Sequence, residues 1–364
     1  MGDFFIASSQ IIGTQILMQK HQQDQTETEE ATPQRSENAL SAYTSDMFIT
    51  LSYEVKILTV EYYRPAGTTL LTSMAAHYTF ADHSGLKNSK TFNNPYDGLL
   101  EQCNNDPVEI QAIYQRHRTN RNEQQKDKLL SPDFQGVTID EILARLENPK
   151  EHSESWRLSY QASVAHEQRT WLTWSGLWAL PSQSLHMTTL EVTHSRTAPE
   201  IEELVKMLLP HVTEIANYTQ THRARLVKPL LSFDAQAFAL SFLPAAGEPG
   251  RTAEEYAYSY HHLRRDIFNK VEAAGLKVGS RYVVPSAHLT IGRYITREDL
   301  ETGGKLDSEK VKKLTEVIDY VNEWLVEEYS NLEWRVGQER GLTCRKGTLW
   351  YGGGGETIYQ GDGF

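Results

Sequence analysis

The sequence has few cysteines, no long apolar run and no excess of basic residues. Cys103 and Cys344 are its only cysteines; they are too few and too far apart along the chain for a disulfide framework or a zinc site, which favours a reducing compartment. No stretch of about 18 apolar residues is present, so we expect no membrane span. The N-terminus lacks the basic start, apolar segment and cleavage site of a signal peptide. These absences predict a soluble protein of the cytoplasm or nucleus.

Acidic residues outnumber basic ones, 48 to 36, and the formal net charge is −12. A surface that tracks a long nucleic acid normally carries a basic stripe, so this balance argues against such a surface. A ligand the size of a nucleotide is still compatible with it, because a few arginines in a pocket can bind one phosphate. The composition indicates no oligomeric state.

The composition and periodicity of the sequence divide the chain into three parts. Residues 1–90 are predicted to be an N-terminal extension with a short helix near its start; its segment 19–46 is rich in Gln, Glu, Thr and Ser and is expected to be disordered. Residues 91–150 are predicted to be helical and to pack on the main domain. Residues 151–364 alternate strand-like and helical segments, which predicts an α+β or α/β domain.

The pattern His-x-Thr is the most informative repeated feature. It occurs five times, at His77, His117, His186, His211 and His288. His117 lies in a charged helical stretch, which indicates a solvated face. His211 lies in a helix, where residues two positions apart point to different sides. His77 has strand-like flanks and could be a third site of the same kind.

The two remaining copies share a longer context. Each follows a Pro-Ser pair, Pro181-Ser182 or Pro285-Ser286, and each enters a predicted strand. In a strand the histidine and the threonine two residues later lie on one face. Each strand is followed by a helix with its own cap. Matching copies of this arrangement predict a duplicated strand–helix lobe.

Two histidines that face each other across a phosphodiester can act as base and acid in one displacement. Histidine suits both roles because its unperturbed pKa of about 6.5 lies near working pH. The threonine hydroxyl can donate a hydrogen bond to a phosphoryl oxygen as charge develops there. This chemistry requires no metal and no other cofactor. The alternative interpretation is that each histidine satisfies a hydrogen bond in the core.

These paired motifs resemble those of the two-histidine (2H) phosphoesterase superfamily, and more closely its fungal branch of RNA ligase/cyclic nucleotide phosphodiesterase-like proteins. The likeness covers roughly residues 92–364. It rests on five segments: NPYDGLLEQCNNDP, AIYQRHRTNRNEQQKDKLLSPDF, HMTTLEVTHSRTAPEIEELV, RYVVPSAHLTIGRYI and GLTCRKGTLWYGGGGE. The resemblance implies a bilobal, pseudo-twofold α+β fold in residues 151–364, with antiparallel sheets flanked by helices and a central cleft.

The resemblance also implies roles for particular residues. His186 and His288 would be the acid/base pair, and Thr188 and Thr290 would bind the phosphate; His77 falls outside the matching motifs. Arg293 matches the arginine that follows the second motif and would be a further phosphate ligand. Its odd offset from His288 puts it on the opposite strand face unless a bulge near the intervening glycine turns it.

The function that the resemblance implies is hydrolysis of a cyclic phosphodiester. The expected substrate is a nucleoside or RNA-end 2′,3′-cyclic phosphate, or a related small cyclic phosphate. One alternative is a family member recruited to small-molecule biosynthesis, with a cyclisation or rearrangement in the same cleft. Another is a protein that binds a nucleotide without turning it over. The sequence does not assign acid and base between the two histidines.

Other candidate sites have simpler interpretations. His194, His261 and His262 could suggest a metal, but no carboxylate or cysteine stands at ligand spacing, which favours core or surface positions. The glycine run GGGGE lacks the Lys-Ser/Thr of a phosphate loop and indicates a hairpin turn.

Overall fold

The computed structural model describes residues 2–8, 92–146, 176–180, 185–280, 283–348 and 354–364. Within these ranges the protein is a mixed α+β structure, in which a large antiparallel sheet is flanked by helices. The predicted α+β class is therefore confirmed. None of the helices in these ranges has both the length and the apolar character needed to cross a membrane.

The main sheet has nine strands in the described part of the chain, and a separate two-stranded ribbon adds two more. The strands are β1 Gly2–Ser8, β2 Leu177–Ala179, β3 Met187–Arg196, β4 Arg225–Phe233, β5 Ala237–Pro244, β6 Ala287–Tyr294, β7 Glu301–Thr302, β8 Lys305–Leu306, β9 Glu333–Arg335, β10 Thr343–Thr348 and β11 Gly354–Gln360. The order across the main sheet is β11-β10-β1-β3-β6-β5-β4-β9, and β2 also pairs with β6. Strands β7 and β8 form the ribbon.

Eight α-helices of the described residues lie between these strands along the chain. They are α1 Asp97–Gln102, α2 Pro107–Leu130, α3 Glu141–Leu146, α4 Ala198–Leu208, α5 Val212–Ala216, α6 Ala253–Tyr256, α7 Tyr260–Ala273 and α8 Ser308–Glu328. Helix α2 has a side-chain N-cap. Pro107 is its first residue, and the Asp106 side chain accepts hydrogen bonds from the backbone N–H groups of Val108 and Glu109. Such a cap satisfies donors that the helix itself leaves unpaired.

Strand β1 lies inside the sheet, between β3 and β10. Ile6 pairs with Leu190 on one side and with Cys344 on the other, and the side chains of Phe4 and Ile6 are buried. The expectation of a helix near the N-terminus, in an extension outside the main domain, is wrong for residues 2–8. The segment 19–46, predicted to be disordered, lies outside the described residues.

Two large apolar clusters fill the space between the sheet and its helices. The first joins α4 and α7 to β1, β3 and the start of β6, where Leu289 is buried. The second joins α8 to β4, β5 and the end of β6, where Tyr294 is buried. Strand β6 therefore contributes to both cores, and its other face is left for polar residues.

Candidate active site

The two His-x-Thr segments are brought together by pairing between β3 and β6. Their four polar residues, called here the motif residues, are His186, Thr188, His288 and Thr290. Met187 pairs with Leu289 in antiparallel register. When that register is extended by one residue each way, each motif histidine stands opposite the threonine of the other motif. Opposed residues of neighbouring strands share a face, so all four motif residues lie on the same side of the sheet.

Burial follows the same alternation. Met187 and Leu289 are 1% and 2% exposed and pack in the first apolar cluster, whereas the four motif residues are partly exposed. His186 stands one residue before the start of β3, and the preceding residues 181–184, which include the first Pro-Ser pair, lie outside the described ranges. The buried side chains of Met187 and Leu289 therefore fix the strand pair to the first apolar cluster, and the motif residues lie on the opposite face.

A β-bulge in β6 turns Arg293 toward the motif residues. Thr290 pairs with Ala239, whereas Arg293 pairs with Ala237, so three steps along β6 match two steps along β5 and Ile291 is unmatched. One extra residue reverses the alternation of side chains beyond it. Arg293 consequently lies on the same face as Thr290, and the bulge that the odd offset required is confirmed next to the glycine.

A cavity of about 310 Å³ lies beside this face, between β4–β6 and α2. Strand β5 alternates small residues toward the cavity with apolar ones toward the cores; the small residues are Ala237, Ala239 and Ser241. His288, Thr290 and Arg293 line the cavity beside them, and α2 supplies Tyr114, His117, Arg118 and Arg121. The lining contains the second motif; His186 and Thr188 lie across the strand pair, outside it.

His288 is held in an enclosed and electropositive position. Its Nδ1 lies 2.9 Å from Oγ of Ser286, which orients the ring. Burial, followed by the positive charges of Arg121 and Arg264, lowers the pKa of His288 to about 4. The charge of His186 adds a smaller lowering, so the two imidazoles are close enough to interact electrostatically. The ring of His288 is therefore neutral at neutral pH.

Two of the three arginines that line the cavity have carboxylate partners. Nη2 of Arg121 donates to Oδ2 of Asp234 at 2.7 Å. Nη1 of Arg293 lies 3.7 Å from Oδ2 of Asp140, and both of these side chains are largely buried. A distance of 3.7 Å is an ion pair without a hydrogen bond, which leaves the Arg293 guanidinium with a weak partner there.

Arg118 is bound differently. Its Nη1 donates to two backbone carbonyl oxygens, of Lys228 at 2.7 Å and of Ser241 at 3.3 Å. Its Nε is buried and has no hydrogen-bond partner among the described residues. Burial lowers the pKa of Arg118 to about 10, so the side chain still carries its charge at neutral pH. The cavity wall thus contains a positive charge whose hydrogen-bond partners are uncharged.

Side chains of helix α7 form hydrogen bonds with the backbone of both motif segments. The hydroxyl of Tyr260 donates to the backbone oxygen of Thr188 at 3.1 Å. Nε of Arg264 donates to the backbone oxygen of Thr189 at 3.2 Å, and its Nη1 to that of Val284 at 2.8 Å. One side chain therefore bonds both β3 and the segment that leads into β6. Sequence reasoning missed it; the available signal was an arginine on the apolar face of a helix.

Sequence reasoning also misjudged His117. The charged sequence around it indicated a solvated face, but His117 is half-buried and lines the cavity with Arg118 and Arg121. The spacing of these residues on a helix was the signal that could have found them, since positions three and four apart share a face.

The remaining candidates lie away from the cavity. His261 and His262 are buried; Nε2 of His261 donates to the backbone oxygen of Tyr96, as a core histidine would. His194 is near the end of β3, and the described residues contain no metal-type cluster of His, Cys, Asp and Glu. Strands β10 and β11 pair around the glycine run, as a hairpin requires, although its tip lies outside the described residues, as does His77.

Comparisons with protein-family models, with curated proteins and with solved structures find no match to this chain. The resemblance to 2H phosphoesterases therefore remains a prediction from the motifs.

Proposed function

We propose that this protein is a metal-independent 2H phosphoesterase that opens a cyclic phosphodiester. Its substrate class is a nucleoside or RNA-end 2′,3′-cyclic phosphate or a related small cyclic phosphate. The observation that carries the proposal is the register between Met187 and Leu289, which sets two histidines and two threonines on one face of the sheet. Acid–base displacement at phosphorus requires a proton acceptor, a proton donor and hydrogen-bond donors to the phosphoryl oxygens, and the two histidines and two threonines can supply these groups.

The local symmetry supports the pseudo-twofold fold that the resemblance implies. A twofold axis between Met187 and Leu289 would exchange the two motif histidines and also the two motif threonines. The two apolar clusters, one on each part of β6, agree with a bilobal arrangement. Residues 151–364 would then form the catalytic domain, with β1 completing its sheet.

The neutral form of His288 fits the role of the base, although its lowered pKa makes it a weaker base than a free imidazole. An imidazole that is neutral at neutral pH can accept a proton from water. The water oxygen would attack phosphorus, one ring P–O bond would break, and His186 as the acid would give its proton to the leaving ribose oxygen. The threonine hydroxyls and Arg293 would stabilise charge on the non-bridging oxygens. The product is a phosphomonoester.

The test is hydrolysis of adenosine 2′,3′-cyclic phosphate and of an RNA oligomer with a cyclic phosphate end, in the presence of EDTA. We expect turnover by the wild type and a loss of about 10²-fold or more in His186→Ala and in His288→Ala, in line with lost acid–base catalysis. His211→Ala is the matched control, because it removes an exposed histidine from the same tripeptide pattern.

Loss of turnover in the His211 control would point to a general effect of the substitutions. A folded wild type with no turnover of either substrate would contradict the proposal. Binding of the substrate without turnover would favour a nucleotide-binding protein instead.

A further inference from the structure

The cavity extends away from the strand pair that carries the motif residues. Arg118 binds the backbone oxygens of Lys228 on β4 and Ser241 on β5, so its guanidinium lies over those two strands. Neighbouring strands are about 4.8 Å apart, so the centre of the β4–β5 pair is about 10 Å from the centre of the β3–β6 pair. A phosphate held between the two histidines would therefore be too far away to pair with Arg118. The charge of Arg118 is available to a different group of the substrate.

A ribose with a phosphate on its 5′ oxygen spans part of that distance, and the hydrogen bond from this phosphate to the guanidinium spans the rest. The cavity volume of about 310 Å³ lies at the small end of the range for small-molecule sites. Arg118 and Arg121 are three residues apart on α2 and both line the cavity. Arg121 also contributes to the lowered pKa of His288.

Building on the proposed function, we propose that Arg118, assisted by Arg121, binds a second phosphoryl group, the one on the 5′ oxygen of the nucleoside whose cyclic phosphate reacts. The preferred substrate class is thus a 2′,3′-cyclic phosphate that also carries a 5′-phosphate. The observations that carry it are the half-buried Arg118, whose hydrogen-bond partners are carbonyls and whose buried Nε has no partner among the described residues, and its position beyond His288 in the same cavity.

A purely structural role for Arg118 makes a different prediction. In that case the guanidinium would tie α2 to β4 and β5 through the two carbonyls, and its charge would not matter to the ligand. Arg118→Gln separates these roles, because an amide retains hydrogen-bond donors but has no charge. Arg116→Gln is the matched control, since it removes the same charge from an exposed position of the same helix.

The experiment compares kcat/KM for three substrates: adenosine 2′,3′-cyclic phosphate, the same compound with a 5′-phosphate, and the dinucleotide whose 5′ oxygen is part of a phosphodiester. We expect the wild type and Arg116→Gln to prefer a 5′-phosphorylated substrate by about tenfold or more, as one charge-assisted pair would give. Arg118→Gln should lose this preference through KM and keep its activity on the nucleoside cyclic phosphate. Equal preference for both 5′ groups would indicate RNA ends, and preference for the monoester would indicate free nucleotides.

A wild type without preference, or an Arg118→Gln variant that loses activity equally on all three substrates, would overturn the proposal. A second measurement does not depend on turnover. Calorimetric titration should show that adenosine 3′,5′-bisphosphate binds the wild type at least about tenfold tighter than adenosine 3′-phosphate, and that Arg118→Gln abolishes this difference. If neither cyclic phosphate is hydrolysed, the proposed function fails, and the titration still decides the second phosphate site.

Discussion

Arg264, on α7, is buried, with 2% of its surface exposed. Its guanidinium carbon lies 4.6 Å from the ring centre of Tyr96, a favourable cation–π geometry. Two of its nitrogen atoms donate to the backbone oxygens of Thr189 and Val284. Because these carbonyls belong to segments far apart in sequence, the side chain fixes the spacing between the two motifs.

Arg264→Met should therefore lower both the stability of the protein and its proposed hydrolytic activity. Removing the donors leaves buried carbonyls unsatisfied, at a cost of about 1–3 kcal/mol each. We expect the free energy of unfolding in urea to fall by about 2–5 kcal/mol, and kcat to fall because the motif residues lose their register. Arg265→Met is the control: the Arg265 side chain pairs with the neighbouring Asp266. Wild-type stability of Arg264→Met would show that the carbonyls find other donors.

Strand β1 is distant in sequence from the candidate site but lies beside it in the sheet. It pairs with β3 over the first motif, where Ala7 stands opposite Thr188. Phe4 and Ile6, two positions apart, are buried in the same core, as side chains on one face of a strand are. Without this strand, β3 and β10 would each have an unpaired edge.

The role of β1 predicts the effect of a truncation within it. Ile6→Ala should reduce the free energy of unfolding by about 2–5 kcal/mol, because a large buried side chain is lost and a cavity is left. Chemical denaturation measures the change. Val108→Ala is the matched control, since Val108 is 57% exposed near the start of α2 and its truncation should change stability by less than about 0.5 kcal/mol. Equal effects of the two substitutions would contradict the buried position of β1.

At the scale of the whole molecule, burial keeps three histidines of the described residues neutral. Burial is the main cause of the lowered pKa values, which are about 3 for His261, about 4 for His262 and about 4 for His288. In the unfolded chain each would titrate near pH 6.5. Below that pH the unfolded state binds more protons than the folded state, so folding stability falls as pH falls.

We therefore expect stability to change little between pH 8 and 7 on account of these groups, and to decrease progressively from about pH 6.5 toward pH 4. Denaturation midpoints measured between pH 8 and 4.5 test this. Replacing His262 or His288 with Gln should make the curve flatter, and His211→Gln, at an exposed position, is the control. A wild-type curve without a decline over this window would contradict neutral burial of the three rings.

Local patterns determined much of the architecture. The alternation of small and apolar residues in β5, the buried stripe of α8 and the strand of the second motif are all visible in the sequence, because each depends on residues within one element. The odd offset of Arg293 showed that only a bulge could bring it to the face of the motif residues, and β6 contains one. The two histidines were singled out by their shared context.

The tertiary structure decided what lies around those histidines. The insertion of β1 between β3 and β10 and the position of α2 over the cavity have no local signature. They depend on which distant elements pair and pack, and periodicity within a single element carries no information about that choice. The sequence alone therefore determined which residues are candidates for the proposed chemistry, and the packing of the chain decided which charges and which cavity surround those residues.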